Sequence, residues 1–261
     1  SIGESANAAA NLILTNCTMA YTGSAFTSTD RLFTIGATTS GGTGTISNTG
    51  GGILTFSNTG PIAFVATNTA NTLKLTVGGK MVFYPQIIDN TGATFKTSVT
   101  ITGNNSTEAQ LLSANSTYTG VTTDETNGSI LTVYKLADGG LPSSLGAATA
   151  AAANLSFGSN NNGALTLKYI GTGDSTNRAM TINTNSHYGA ADTFIIDNEG
   201  TGALVMSGSP VAHLATGWFD SVPAGIVLTG TTAANLVNQY NGTVGDFNNP
   251  SPLGITKNGA A

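Results

Sequence analysis

The chain repeats itself at long range. Ala8-Ala9-Ala10-Asn11-Leu12 recurs as Ala151-Ala152-Ala153-Asn154-Leu155, offset by 143, and Ser1-Ile2-Gly3 recurs as Ser144-Leu145-Gly146 at the same offset. Ser28-Thr29-Asp30-Arg31 with Thr34-Ile35 returns as Ser175-Thr176-Asn177-Arg178 with Thr181-Ile182 at 147. Gly52-Ile53-Leu54 returns as Gly202-Ala203-Leu204 at 150, and Pro61, Ala63, Ala66 and Thr67 fall on Pro210, Ala212, Ala215 and Thr216 at 149. The drift in offset is what loop insertions produce. The division expected is a first long repeat over 1–143 and a second, shorter copy over 144–261. Within the latter, Ser251-Pro252-Leu253-Gly254 compares with Ser143-Ser144-Leu145-Gly146 and opens a partial third repeat at 251–261. Duplication on this scale suits a quasi-one-dimensional fold, in which each unit buries its core only against its neighbours.

Each copy is made of short apolar runs such as NLILT (11–15), ILTF (53–56), TLKLTV (72–77), SILTVY (129–134) and TFII (193–196), bounded by Gly, Asn, Ser or Thr. Runs of this length, punctuated by turn residues, predict β-strands. The fold class expected is therefore all-β, a right-handed parallel β-helix or β-solenoid of stacked short strands. Two or three strands per turn give roughly 20 to 30 residues per coil, and about 9 to 13 coils stacked about 4.8 Å apart form a rod about 43 to 62 Å long. An antiparallel sandwich shares the strand spacing, but the long-period copying argues against it. The alanine-rich segments 6–11 and 147–154 are read as tight corners, because small side chains let successive coils approach.

Composition has a mechanical reason in such a stack. Charged residues make up only 8% of the 261, against about 25% in ordinary soluble domains, and like charges stacked one coil apart would repel. Thr, Ser and Asn supply polarity without charge. The acidic and basic residues are scattered singly, which gives a net charge of −5, and no basic run is available to neutralise a nucleic-acid backbone. No run approaches the roughly 18 apolar residues needed to span a bilayer, so insertion of this chain into a membrane is not expected. The start at Ser1, without Met or leader, suggests a mature product or an excised segment.

Three stretches carry a family likeness: Ser28 to Ile35 (STDRLFTI), the Gly-rich strand pair from Gly44 to Asn58, and Leu112 to Thr122 (LSANSTYTGVT). They resemble the autotransporter-associated β-strand repeat family, found in passenger regions of large bacterial surface proteins. The third is similar to the family's N-x-Y-x-G-x-T turn, here Asn115, Tyr118, Gly120 and Thr122, with one extra residue between Asn115 and Tyr118. The resemblance implies a parallel β-helix on the cell surface or outside the cell, and it is nearly silent on activity.

Candidate sites are sparse. Cys17 is the only cysteine, so no intrachain disulfide can form, and His187 and His213 are too isolated for a zinc site or a triad. Asp197 and Glu199, with an i, i+2 spacing on one strand face, are the nearest approach to an acid or Ca²⁺ site, and Asp124-Glu125 is the only adjacent acid pair. Asp197 and Glu199 read as a solvated turn. The Ca²⁺ nonapeptide pattern fails at Gly41-Gly42-Thr43-Gly44-Thr45-Ile46, where isoleucine stands in place of aspartate. No catalytic, cofactor or metal residue is assigned, and no cofactor is expected. Arg31 and Arg178, recurring at matched positions, read as local braces that pair with turn carbonyls or a carboxylate. Trp218 and Phe219 are candidates for ligand contact. Ser1, Ile2, Gly3, Ser251, Pro252, Leu253 and Gly254 form the candidate assembly interface, since uncovered end coils expose apolar surface and strand edges.

The function expected is structural and non-enzymatic: an extracellular or cell-surface β-solenoid subunit, assembling head-to-tail with itself into a filament, fibre or stalk, or continued by further repeats of a longer chain. The alternative is an adhesin or passenger module that binds a surface or a polysaccharide. A polysaccharide-acting enzyme is a distant third.

Overall fold

The computed structural model describes residues 3–38, 41–91, 94–103, 106–125, 128–158, 164–184, 193–214, 225–231, 238–243 and 254–257. All the paired strands are parallel, and they are arranged on three faces of a β-solenoid. The first face is an eight-stranded sheet: Cys17–Tyr21, Thr43–Asn48, Asn71–Val77, Thr97–Gly103, Thr122–Asp124, Leu155–Phe157, Thr181–Thr184 and Val211–Leu214. The second is a nine-stranded sheet: Thr27–Thr29, Ile53–Phe56, Lys80–Phe83, Glu108–Leu111, Ile130–Val133, Leu165–Tyr169, Thr193–Asn198, Gly225–Gly230 and Gly254–Lys257. The third face is shorter and split. Ile13–Leu14, Thr34–Ile35 and Ala63–Phe64 form one three-stranded sheet, and Asp174–Thr176, Leu204–Met206 and Gln239–Tyr240 form another. Between them, hydrogen bonds such as Thr117 N to Ile87 O (2.9 Å) and Ala147 N to Tyr118 O (2.7 Å) carry the stack.

Alternation explains why these segments became strands. Along Asn71–Val77 buried and half-buried residues alternate without a break, so Leu73, Leu75 and Val77 point into the core and Thr72, Lys74 and Thr76 point out. Stacking then builds continuous internal columns, as where Phe33, Phe56 and Phe83 meet with ring centroids 5.7 to 5.9 Å apart. Phe157 and Phe194 meet at 5.0 Å. Burying these columns is the main stabilising term, at about 2 kcal/mol for each large apolar side chain.

Coil length varies more widely than a fixed two or three strands per turn would give. Ala109 pairs with Leu131, and Leu131 in turn pairs with Leu167, so the second of these coils is much the longer. It is lengthened by an excursion at 135–150, which folds back on the third face through Ser143 N to Ser116 O (3.2 Å) and Ala147 N to Tyr118 O. Both alanine-rich corners contain a single 3-10 turn, Ala9–Asn11 and Ala152–Asn154, and the residues before them have near-identical φ, ψ values of −62°, 138° and −62°, 136°.

Positions matched by the sequence repeat do not lie on the same face. Thr34–Ile35 lies on the third face and its counterpart Thr181–Ile182 on the first, while Thr43–Asn48 lies on the first and its counterpart Thr193–Asn198 on the second. Thr27–Thr29 and Asp174–Thr176 show the same step, from second face to third. The repeat is therefore longer than a whole number of coils by one face, and equivalent corners are turned to different sides of the rod.

Candidate binding groove

The first face differs from the second in what it shows to solvent. Its outward columns are hydroxyl-rich: Thr45, Lys74, Thr100 and Thr123 stand in register on four successive strands, as do Thr43, Thr72 and Ser98 on three. Val121 and Asn154 immediately precede the paired Thr122 and Leu155, and they continue the second column over two more coils. Threonine is stiff at χ1, so a strand that holds its backbone also holds its hydroxyl. Neighbouring hydroxyls contact directly where Thr76 and Thr102 lie 3.1 Å apart.

The second face carries charge and β-branched residues instead. Lys80 and Glu108 form an ion pair at 2.9 Å, and Glu108 also accepts from Gln110 (2.6 Å) and Thr132 (2.7 Å). Burial pushes the Glu108 carboxyl up, but these three partners outweigh it and hold the group below its usual range. Lys168 and Asp197 pair more loosely at 3.7 Å. There, burial and the nearby Glu199 raise the Asp197 pKa in spite of Lys168.

Where the first face turns into its strands, a groove of about 340 Å³ runs across successive coils, within the usual size range of ligand clefts. The outward column Thr43, Thr72, Ser98, Val121 and Asn154 lines it along its length, with Lys96 and Thr119 beside it. Asp89 sets the groove's local geometry. Its Oδ1 accepts from Thr97 N (2.7 Å) and Thr119 N (3.0 Å), and its Oδ2 accepts from the Thr119 hydroxyl (2.6 Å), so one carboxylate ties two coils together. Asn154 is oriented by donating to Thr149 O (3.1 Å) and Thr149 Oγ1 (2.8 Å). Gly120 is explained by packing, since a Cβ there would lie 2.2 Å from Thr97 O. Among the described residues no carboxylate lines the groove, and Lys96 is the one ionised side chain in its lining.

Two other cavities open at the ends of the described stack. One of about 70 Å³ is apolar and lined by Leu204, Met206, Leu228 and Tyr240. The other lies beside Gly3, Met19, Tyr21, Arg31 and Leu54. Both are sections of core at the last described coils.

The residues singled out from sequence fall in several places. Arg31 lies between a second-face and a third-face strand, where its guanidinium donates to Gly3 O (2.7 Å), Ala6 O (3.3 Å) and Ser5 Oγ. Arg178, 1% exposed, lies between a third-face and a first-face strand and donates to Gly146 O (2.8 Å), Ala137 O (3.1 Å), Leu141 O and Leu145 O (both 3.3 Å). Burial lowers its pKa from the usual guanidinium value. Gly3 is exposed with φ +81°, and Gly254 begins a strand paired with Gly225–Leu228. Ser1, Ile2, Trp218, Phe219, Ser251, Pro252, Leu253 and His187 lie outside the described residues, as does the side chain of His213.

Cys17 is exposed at the start of its strand. Asp197 is not in the solvated turn expected: it is half-buried within the strand Thr193–Asn198, paired with Lys168, while Glu199 is exposed just past the strand, accepts from the Thr231 hydroxyl and also acts on Asp197. Asp124 is fully buried beside Ser129, because it faces the core in the strand Thr122–Asp124. Tyr118 of the family-like turn is also fully buried, with its hydroxyl 2.6 Å from that of Thr122, and burial raises its pKa well above the phenolic range. Among the described residues no group of three or more His, Cys, Asp or Glu is placed to hold a metal, and no helix is long and apolar enough to cross a membrane.

Sequence reading missed the groove and Asp89. The signal was present as T-x-K-x-T in 72–76 and S-x-T-x-T in 98–102, but only the register of the strands shows that these hydroxyls align.

No protein-family model matches the chain, and no solved structure matches it. Among curated proteins it is similar to the adhesin BmaC autotransporter of Brucella suis biovar 1 (strain 1330), with 37% identity over 233 residues, 82% of this chain. The chain spans about 6% of that relative's length.

Proposed function

Because this chain is a β-solenoid of the autotransporter passenger type, lying at the cell surface or outside the cell, we propose that it is a rigid, non-enzymatic segment of an adhesin. It would hold binding surfaces away from the cell and contribute one of its own. The observation that carries this reading is the pair of continuous parallel sheets, eight and nine strands long, in a chain similar over most of its length to an autotransporter adhesin. A stack without a break bears load along its axis through every ladder at once, as a stalk requires.

The stack also suggests how the segment is continued. Cys17 heads the internal column Gly44, Leu73, Val99, yet it is exposed, and the strand Cys17–Tyr21 has no partner on its outer edge among the described residues. Such an edge is stabilised by one more coil, supplied by further repeats of a longer chain or by a second copy docking head-to-tail. The length of the relative supports a stalk. Head-to-tail docking would instead give an open filament.

The experiment is display of this segment on a non-adherent bacterium, with attachment to host-cell and polysaccharide-coated surfaces scored against an undisplayed control. Attachment is expected. Its absence on every surface would leave a spacer without adhesive function. Negative-stain electron microscopy of the purified chain separates the two modes of continuation, since fibres that lengthen with concentration require self-docking and single short rods at all concentrations rule it out.

A further inference from the structure

We propose that the first-face groove is a cleft for a neutral, extended polysaccharide laid parallel to the solenoid axis. This rests on the adhesin reading and adds its ligand class. The first argument is spacing. Thr43, Thr72, Ser98, Val121 and Asn154 occupy one outward column on five successive coils, four of them with a hydrogen-bonding side chain. Successive strands are about 4.8 Å apart, close to the rise of one sugar unit in an extended polysaccharide. A glycan along the axis would therefore meet a hydrogen-bonding side chain at four of five successive units, whereas one lying across the strands would not.

The second argument is charge. The groove's described lining has no carboxylate and a single ammonium, Lys96, on a chain of net charge −5. An acidic polymer would find one cation in the lining for its many charges, on a chain that is net negative as a whole. A neutral chain of hydroxyls meets donors and acceptors held in place by stiff β-branched rotamers and by Asp89, and this preorganisation reduces the ordering cost of binding. The third argument excludes a peptide. The first-face strands around the groove are paired on both sides, at Thr43 with Thr72 and at Thr72 with Ser98, so they offer no free edge for strand addition. The described lining also lacks an aromatic residue or an apolar anchor pocket.

The test is isothermal titration of the purified chain with soluble β-1,4-linked glucose oligosaccharides, from disaccharide to octasaccharide, and with polygalacturonate oligomers of the same lengths. Affinity for the neutral series is expected to rise with length and to level off near the pentasaccharide, one unit per coil of the groove. Thr72→Val with Ser98→Ala removes two outward hydroxyls with little change in shape, and should weaken binding about tenfold or more. Thr166→Val on the second face should leave it unchanged. Circular dichroism of each variant checks that the β fold is intact, and Thr72→Ser, which keeps the hydroxyl but not the β-branch, should lose much less than the double variant.

Three results overturn the proposal: binding indifferent to the double variant, binding confined to polygalacturonate and lost in Lys96→Met, or no binding of either series. If the displayed segment still confers attachment in any of these cases, the ligand assignment falls and the adhesin reading stands.

Discussion

The corners at Arg31 and Arg178 are built from one local pattern and differ in what covers them. In each, the arginine backbone N donates to a threonine hydroxyl two residues earlier at 3.2 Å, and Nη2 donates to the carbonyl of a glycine with positive φ, Gly3 at 2.7 Å and Gly146 at 2.8 Å. The alanine corners repeat a second bond, from Asn11 Nδ2 to Ala6 O (2.9 Å) and from Asn154 Nδ2 to Thr149 O (3.1 Å). Yet Arg31 is 8% exposed near the end of the described stack, whereas Arg178 is 1% exposed under the excursion 135–150, which brings the carbonyls of Ala137 and Leu141 to it. The local sequence specifies the corner. The coil above it decides how much that corner contributes.

The largest expected effect tests this directly. Arg178→Ala takes the guanidinium from the Leu141 and Leu145 carbonyls and leaves those of Ala137 and Gly146 with only the Thr176 and Ser143 hydroxyls, and should cost about 4 kcal/mol, read as a fall in the thermal midpoint. Arg31→Ala, at a less covered corner, should cost about 1 to 2 kcal/mol. Equal losses would mean that burial under the excursion adds nothing. Arg178→Lys should recover little, because a point charge cannot reach the fork of carbonyls that a planar guanidinium serves.

The paired glycines give the next effect. A Cβ on Gly146 would lie 2.3 Å from Tyr118 O and 2.8 Å from its ring, at φ +73°, whereas one on Gly3 would meet nothing within 4 Å at φ +81°. Gly146→Ala should cost about 3 kcal/mol from overpacking plus left-handed strain, and Gly3→Ala about 1 kcal/mol from the strain alone. A Gly146→Ala variant as mild as Gly3→Ala would show that the excursion yields easily and does not clamp the corner.

Much of this architecture was legible in the residues, and the limits are physical. Alternation in TLKLTV and the matched STDR and STNR segments point to a stacked parallel fold with arginine corners, because strand period and turn chemistry are local properties. Which face a strand joins is not local. The one-face step between Thr34–Ile35 and Thr181–Ile182 depends on total coil length, including the excursion that lies between the partners Leu131 and Leu167. The groove was illegible for the same reason, since Thr43, Thr72 and Ser98 become neighbours only through register. Asp89 reads as an ordinary loop acid until the coil of Thr119 is placed over it.

The smallest effect compares early and late halves of the second face through their ion pairs. Glu108 has a folded pKa below its unfolded value, so its stabilisation is present above the unfolded value of about 4.3 and is lost as pH falls through the folded pKa. Asp197 has a folded pKa above its unfolded value, so ionisation costs stability at neutral pH, and that cost is relieved as pH falls through the folded pKa. The signs are opposite although both carboxylates face a lysine on the preceding strand, because Gln110 and Thr132 add donors to Glu108 while Glu199 adds like charge to Asp197. Both sites are only half-buried, so each contribution should stay under about 1 kcal/mol. Thermal midpoints measured from neutral pH to about pH 3 should show Glu108→Gln below the parent at neutral pH and converging with it in acid. Asp197→Asn should lie at or above the parent at neutral pH, with the gap closing in acid. If Asp197→Asn lost as much stability as Glu108→Gln at neutral pH, the loose Lys168 pair would outweigh the desolvation and repulsion, and the two halves would be equivalent on this face.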